Sequence, residues 1–177
     1  MKTLMIACAS FALISACAIS SGASPATAKS ASTTAEKASP TDFALIEGDG
    51  WTGQMTYLDY TTQKPSSIPV ALNVKPVAGR TVTYEIMYPR ESKYNATEKL
   101  KLSKDGMRLN DKAIIKRDVQ DGDSVKIVTL ARGRDDNRDA DIRTTYELSV
   151  SALTISKDVK FDDGDEFFQR NTLALSR

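Results

Sequence analysis

The sequence contains no histidine, two cysteines and a single tryptophan. Without histidine there is no Ser-His-Asp triad, no imidazole base and no imidazole metal ligand. Both cysteines, Cys8 and Cys17, lie close to the start. The rest of the chain therefore carries no thiol nucleophile, no thiolate ligand for haem or zinc, and no disulfide. Charge of one sign is also missing: 24 basic residues face 23 acidic ones, so the chain has no basic footprint for nucleic acid or an anionic surface. No window sustains an amphipathic helical period, and the one helical candidate is a short piece near Phe43 to Glu47. These absences argue against an enzyme: no catalytic residue, metal ligand or cofactor site is expected. The stretch from Asp42 to Arg177 must be stabilised by one packed core, for which it is long enough.

What precedes that stretch reads as an export signal and a tether. Met1-Lys2 is a short positive start, and Thr3 to Ile14 is apolar but too short to anchor a stable span. Ile14-Ser15-Ala16-Cys17 has the form of a bacterial lipobox, which would make residues 1–16 a signal peptide and Cys17 the lipidated first residue of the mature chain. The alternative is ordinary cleavage after residue 28, at Ala26-Thr27-Ala28, which yields a soluble exported protein. Either cleavage removes Lys2 and leaves the mature chain neutral. Residues 18–41, rich in Ala, Ser and Thr and without aromatics, cannot bury enough surface to offset ordering and are expected to be a disordered tether. The expected location is the cell envelope, lipid-anchored at the outer membrane and facing the periplasm, with a soluble periplasmic or secreted protein as the alternative.

From Asp42 onward the pattern is of short alternating runs divided by turn residues. The runs are Trp51–Tyr60, Ile68–Val74, Thr81–Tyr88, Ala96–Leu102, Ala113–Arg117, Val125–Ala131, Ile142–Val150, Leu153–Phe161 and Phe167–Leu175. Lys104-Asp105-Gly106, Gln120 to Asp123 and Asp162 to Asp165 supply hairpin turns. This is an all-β pattern. Hairpin-length connections favour an antiparallel up-and-down barrel of about 8–10 strands, because closure removes exposed edges. A two-sheet β-sandwich is the alternative.

Carboxylate chemistry is what the composition leaves open. Asp59, Glu85 and Glu147 lie on strands, but Glu85 and Glu147 fall on the outward face with Thr83 and Thr145. Asp135 to Asp141 ("DDNRDAD") starts like a calcium loop, yet Ala140 and Tyr146 stand where an EF-hand needs Gly and Glu. A hydrophilic hairpin loop is the better reading. Asn95-Ala96-Thr97 is a glycosylation sequon in spelling alone.

The aromatic residues are more telling. The only tryptophan stands in "GDGWTGQMTYLDY", residues 48–60, between Gly50 and Gly53, with Met55 and Tyr57 on the same strand face. Tyr84 and Tyr88 share the apolar face of another run, and Tyr146 lies with Ile142 and Leu148. If these faces line a barrel, Met55, Tyr57, Tyr84, Tyr88 and Tyr146 offer apolar walls with hydroxyl handles, suited to a small apolar or amphipathic ligand. Alternatively they are core residues of a solid barrel.

Trp51-Thr52-Gly53 resembles the W-x-G of calycin-type barrels, the group that includes lipocalins, fatty-acid-binding proteins and nitrobindin-like proteins. The resemblance implies that Trp51 plugs one end of the barrel and that an Arg near the last strand packs on it, for which Arg170 is the candidate. Asp49 stands where the lipocalin motif has Gly, and the haem-binding His of nitrobindin-like barrels is missing, so haem is not carried over. The implied function is a non-enzymatic envelope lipoprotein with a lipocalin-like barrel. The alternative is an envelope accessory protein with a solid barrel that meets protein partners of unknown identity. The lipobox reading has a direct consequence: Cys17→Ser should shift the protein from the membrane to the soluble fraction on cell fractionation, and unchanged membrane retention would defeat it.

Overall fold

The computed structural model describes residues 37–120 and 123–177. The expected signal peptide, Cys17 and the tether as far as residue 36 lie outside the described residues, as do Asp121 and Gly122 of one turn. A five-residue helix, α1 (Pro40–Ala44), is followed by ten strands: β1 (Gly48–Asp59), β2 (Lys64–Val74), β3 (Thr81–Met87), β4 (Ala96–Lys101), β5 (Arg108–Leu109), β6 (Lys112–Gln120), β7 (Ser124–Asp135), β8 (Arg138–Leu148), β9 (Ala152–Phe161) and β10 (Phe168–Ser176). All belong to one antiparallel sheet in the order β4-β3-β2-β1-β10-β9-β8-β7-β6-β5. Consecutive strands thus pair except β4 and β5, which are the two edges of the sheet, and β10 returns to β1. The result is an up-and-down sheet nearly closed into a barrel.

Nine of the ten strands coincide with runs of alternating residues. The tenth, β5, is two residues long and has no alternation to read. Inward-facing positions carry the core: Trp51, Leu72, Val74, Val82, Leu100, Leu102, Leu109, Ile114, Ile127, Leu148, Leu153 and Leu175 are all buried in one cluster.

The ordered domain begins earlier than Asp42, which corrects the boundary expected from composition. Ala38 is buried, and its N–H donates to the Gly106 carbonyl at 3.0 Å. Ser39 caps α1, Pro40 occupies the first turn, and the Asp42 carboxylate accepts from the Ser39 N–H at 2.9 Å. Ser-Pro-Thr-Asp is a capping sequence, although its composition continues that of the tether. Helix α1 therefore ends where the sequence suggested it would begin, because Pro40 and the Ser39 cap fix its start. Its apolar side, Phe43, packs into the core. Asp42 is 4% exposed and takes a bidentate contact from Arg117 on β6, at 2.8 and 2.9 Å.

The two ends of the sheet meet at a seam. Leu102, just after β4, bridges Leu109 on β5. Above that bridge Asn110 does the joining. Its N–H donates to the Lys101 carbonyl at 2.9 Å, its Oδ1 accepts from the Lys101 N–H at 2.7 Å, and its Nδ2 donates to the Lys99 carbonyl at 2.9 Å. Asn110 and Asp111 are both left-handed (φ 48° and 63°) and make the two-residue turn into β6, a conformation that Asn and Asp accept more readily than other side chains. One amide thus acts as a strand residue across the seam. Asn110→Gly keeps the backbone conformation and removes only the side-chain bonds, so it should cost about 1–3 kcal/mol in denaturant unfolding. Asn110→Ala should cost more, because alanine also resists positive φ.

Candidate functional site

Trp51 is fully buried at the end of the barrel that α1 covers. Its Nε1–H donates to the Ile46 carbonyl at 3.0 Å, so the indole ties β1 to the segment after α1. The cation over its ring is Arg177, whose guanidinium sits 4.4 Å from the centroid. The same side chain donates to the Glu47 carbonyl at 2.5 Å. This corrects the expected closure by Arg170. Strands β1 and β10 are antiparallel, with Thr52 opposite Ser176 and Tyr57 opposite Asn171. The start of β10 therefore lies at the far end of β1 from Trp51. Arg170 stacks on Tyr60 there, 4.1 Å from the ring, and donates to the Leu58 carbonyl. Gly53 has its own reason: a Cβ at this position would collide with the Ala174 carbonyl of β10.

The register places the predicted lining residues on the inner face. Met55 lies opposite Ile68 and Leu173, and Tyr57 opposite Ser66 and Asn171. Tyr84 lies opposite Val74 and Glu98, and Tyr146 opposite Ile127 and Ile155. Tyr88, just past β3, packs against the same core. Tyr146 is buried and its phenol is pushed up to about 12, and burial also raises the Tyr84 phenol well above its ordinary value. Both stay protonated as hydrogen-bond donors throughout the neutral range.

Sequence reasoning missed the charged groups on this inner face. Asp135, read as part of a hydrophilic loop, closes β7 and turns inward: Lys157 on β9 donates to it at 2.5 Å, the Tyr60 hydroxyl donates at 2.5 Å, and Arg170 lies 3.3 Å away. Only Asp136 and Asn137 form the β7–β8 turn, both with positive φ. Burial alone would raise the Asp135 carboxyl, but Lys157, Tyr60 and Arg170 outweigh it and hold it below the usual range. Tyr60 in turn is raised by burial and by Asp135. Around this cluster pack Phe168, Phe161, Val159 and Ala140. A bulge between Gln169 and Asn171 lets Arg170 reach it.

Lys112 is the other unforeseen residue. It pairs with Leu109 across the β5–β6 turn, and Leu109 is fully buried, so both face inward beside the seam. Burial, and next the charge of Lys157, push its ammonium down to about 8. Lys157 was legible: Leu153, Ile155, Lys157, Val159 and Phe161 alternate on one face. Lys112 had no such signal, standing at the first position after a turn.

The carboxylates considered for catalysis lie elsewhere. Asp59 accepts from the Thr61 and Thr62 N–H groups as a turn cap, which lowers its carboxyl. Glu85 pairs with Lys75 and Glu147 with Lys126 on the outer surface. A groove lined by Glu47, Asp49, Asn73 and Lys75 lies at the Trp51 end, away from the residues predicted to hold a ligand.

No family model and no curated sequence matches this chain. Among solved structures, the crystal structure of Rv2717c from M. tuberculosis aligns with a TM-score of 0.54 at 13% identity, covering 80% of this chain and 99% of that one. The two share a fold.

Lys112 gives the barrel a pH signature. In the unfolded chain it titrates near 10.5, and in the folded one near 8. Between these values the unfolded chain binds more protons, so this group makes stability rise with pH across that window. Below about pH 8 the buried ammonium disfavours the fold. Lys112→Met should therefore stabilise the protein at pH 7 by on the order of 1–2 kcal/mol after allowance for partial solvent screening. In urea unfolding its advantage should shrink as pH rises from 8 to above 10.

Proposed function

We propose that this chain is a non-enzymatic envelope lipoprotein, anchored through Cys17, whose calycin-like barrel holds a small amphipathic molecule. The observation that carries this reading is the composition of the inner face away from Trp51. There, apolar Met55, Ile68 and Ile155 stand beside the phenols Tyr57, Tyr84 and Tyr146, and polar Lys112 and Lys157 share that face. Lys157 is matched there by Asp135, so the face combines apolar wall, phenols and a held charge. A ligand with an apolar body and a polar end matches such a face. The opposite end, filled by Trp51 and Phe43, serves architecture.

The chemistry of the chain also supports a binding role. No histidine is present, the cysteines precede the domain, and the strand carboxylates Asp59, Glu85 and Glu147 are capped or outward-facing. Native mass spectrometry of the full chain purified from its own envelope tests the reading. We expect a co-purifying small molecule that is lost when Tyr84 and Tyr146 are both replaced by Phe and Met55 by Trp, with the circular dichroism of the barrel retained. A ligand-free protein that takes up no amphipath on titration would instead favour an accessory protein with a solid barrel.

A further inference from the structure

We infer that the outer wall of the barrel around the β4–β5 seam is a docking face for an anionic bilayer, engaged through the phosphates of its lipids. The inference rests on one part of the reading above, that the chain is held at a membrane, and its test separates the two.

The near-equal totals of basic and acidic residues conceal an uneven distribution. Along the outer wall of β7–β9 the cations are matched: Arg132 lies 2.6 Å from Asp162, Arg143 2.9 Å from Asp158 and Lys126 2.8 Å from Glu147. Around the seam they are not. Lys37, Arg80, Lys99, Lys101, Lys104 and Arg108 are all exposed, and none has an ion-pair partner among the described residues. The acids of this region are fewer, and most are occupied. Asp105 accepts from the Ser103 hydroxyl at 2.6 Å and from the Met107 N–H at 3.0 Å, and Glu85 is matched by Lys75. Asp111 stands in the turn before β6, and Glu98 falls on the inner face opposite Tyr84. The expected lack of a basic footprint therefore holds for the total charge and not for this face.

The sheet puts the six cations on one surface. Lys99 and Lys101 flank buried Leu100, so both point outward, beside Thr83 and Thr81 of β3. Arg108 precedes buried Leu109 and points outward across the seam, where its carbonyl accepts from the Ser103 N–H at 2.9 Å. Lys37, Arg80 and Lys104 line one groove of about 320 Å³ at the Ser103–Gly106 turn. A Cβ at Gly106 would meet the Ala38 carbonyl at 2.6 Å, so glycine is what lets the entering chain lie on that turn. The entry to the domain, twenty positions after Cys17, is thus part of the basic face. An anchor at Cys17 draws this side of the barrel toward the bilayer. Ammonium groups on flexible stems suit a plane of mobile phosphates, whose field reaches them over about 10 Å at physiological salt. The outward positions of β3, β4 and β5 carry no aromatic side chain on which a base could stack, so a single-stranded nucleic acid is a poorer fit.

The test uses the full chain purified from its envelope and reconstituted with vesicles of phosphatidylcholine, alone or mixed with phosphatidylglycerol. Flotation reports attachment, and acetylation mapped by mass spectrometry reports the exposure of each lysine. On the anionic vesicles Lys99, Lys101 and Lys104 should be labelled about five-fold more slowly than on neutral ones. Lys64, at the end of β1 and β2 farthest from Trp51, should keep its rate. High salt should erase the difference. Lys99→Gln combined with Lys101→Gln should restore the labelling of Lys104 while the circular dichroism of the barrel is retained. Equal labelling on the two vesicles overturns the docking face, and flotation on the neutral ones then leaves the anchor standing. Flotation on anionic vesicles alone, with the three lysines protected, supports the face and removes the anchor. Flotation on neither defeats both. The same protection by inorganic phosphate without vesicles would assign the patch to a free anion and overturn the bilayer.

Discussion

A sheet of ten strands becomes a barrel only if its two edges are joined, and here that joint is narrow. The β4–β5 contact consists of the Leu102–Leu109 bridge, the bonds of Asn110 and the bonds between Ser103 and Arg108. Elsewhere the wall is laced by ladders of up to eleven paired residues, as between β7 and β8. Closure brings Leu109, on the shortest strand, into full burial among Ile114, Leu102 and Leu100. Inward-facing residues on nine other strands have a common interior only because of it. An open sheet with the same sequence would expose that face and two strand edges, an arrangement prone to association. The left-handed turn at Asn110 and Asp111 is what aims the side-chain amide at the edge of β4, so local conformation and global closure are one constraint.

The barrel then has two unlike ends. At one, Trp51, Phe43 and Arg177 form a plug held by backbone carbonyls, and the ion pair of Asp42 with Arg117 is matched by geometry. At the other, one carboxylate, Asp135, gathers Lys157, Arg170 and the Tyr60 phenol, with side-chain exposures of 10% for Asp135, 18% for Lys157 and 15% for Arg170. A buried ion pair is weak evidence for stability, since desolvation offsets most of the attraction. Its effect here is positional. It fixes where β1, β7, β9 and β10 meet.

Much of the fold was legible in the sequence because strand alternation is a local property. Nine runs with hairpin turns specify a meander, and the sandwich alternative fails only because β10 returns to β1. The inner face of the aromatic residues followed from the same parity. What alternation could not give was long-range partnership. Arg170 and Arg177 both lie in the last strand region, and only the antiparallel register assigns one to Tyr60 and the other to Trp51. Asp135 looked like a loop residue because its partners, Tyr60, Lys157 and Arg170, lie 75, 22 and 35 positions away, at spacings that no repeat marks. The capping sequence at Ser39 was hidden by composition, since Ser, Pro and Thr serve tethers and helix starts equally.

The bulge in β10 has a consequence for how this strand tolerates change in length. Phe168 and Leu173 both face inward although an odd number of steps separates them, because the extra residue between Gln169 and Asn171 resets the phase. The two halves of β10 therefore obey opposite parities. A single-residue deletion at the bulge would remove the extra residue and leave a regular strand with both halves inward, whereas a deletion of two would turn one apolar half outward. Related barrels should differ here by the one residue of the bulge, and the arginine it carries should persist only in those that keep that residue.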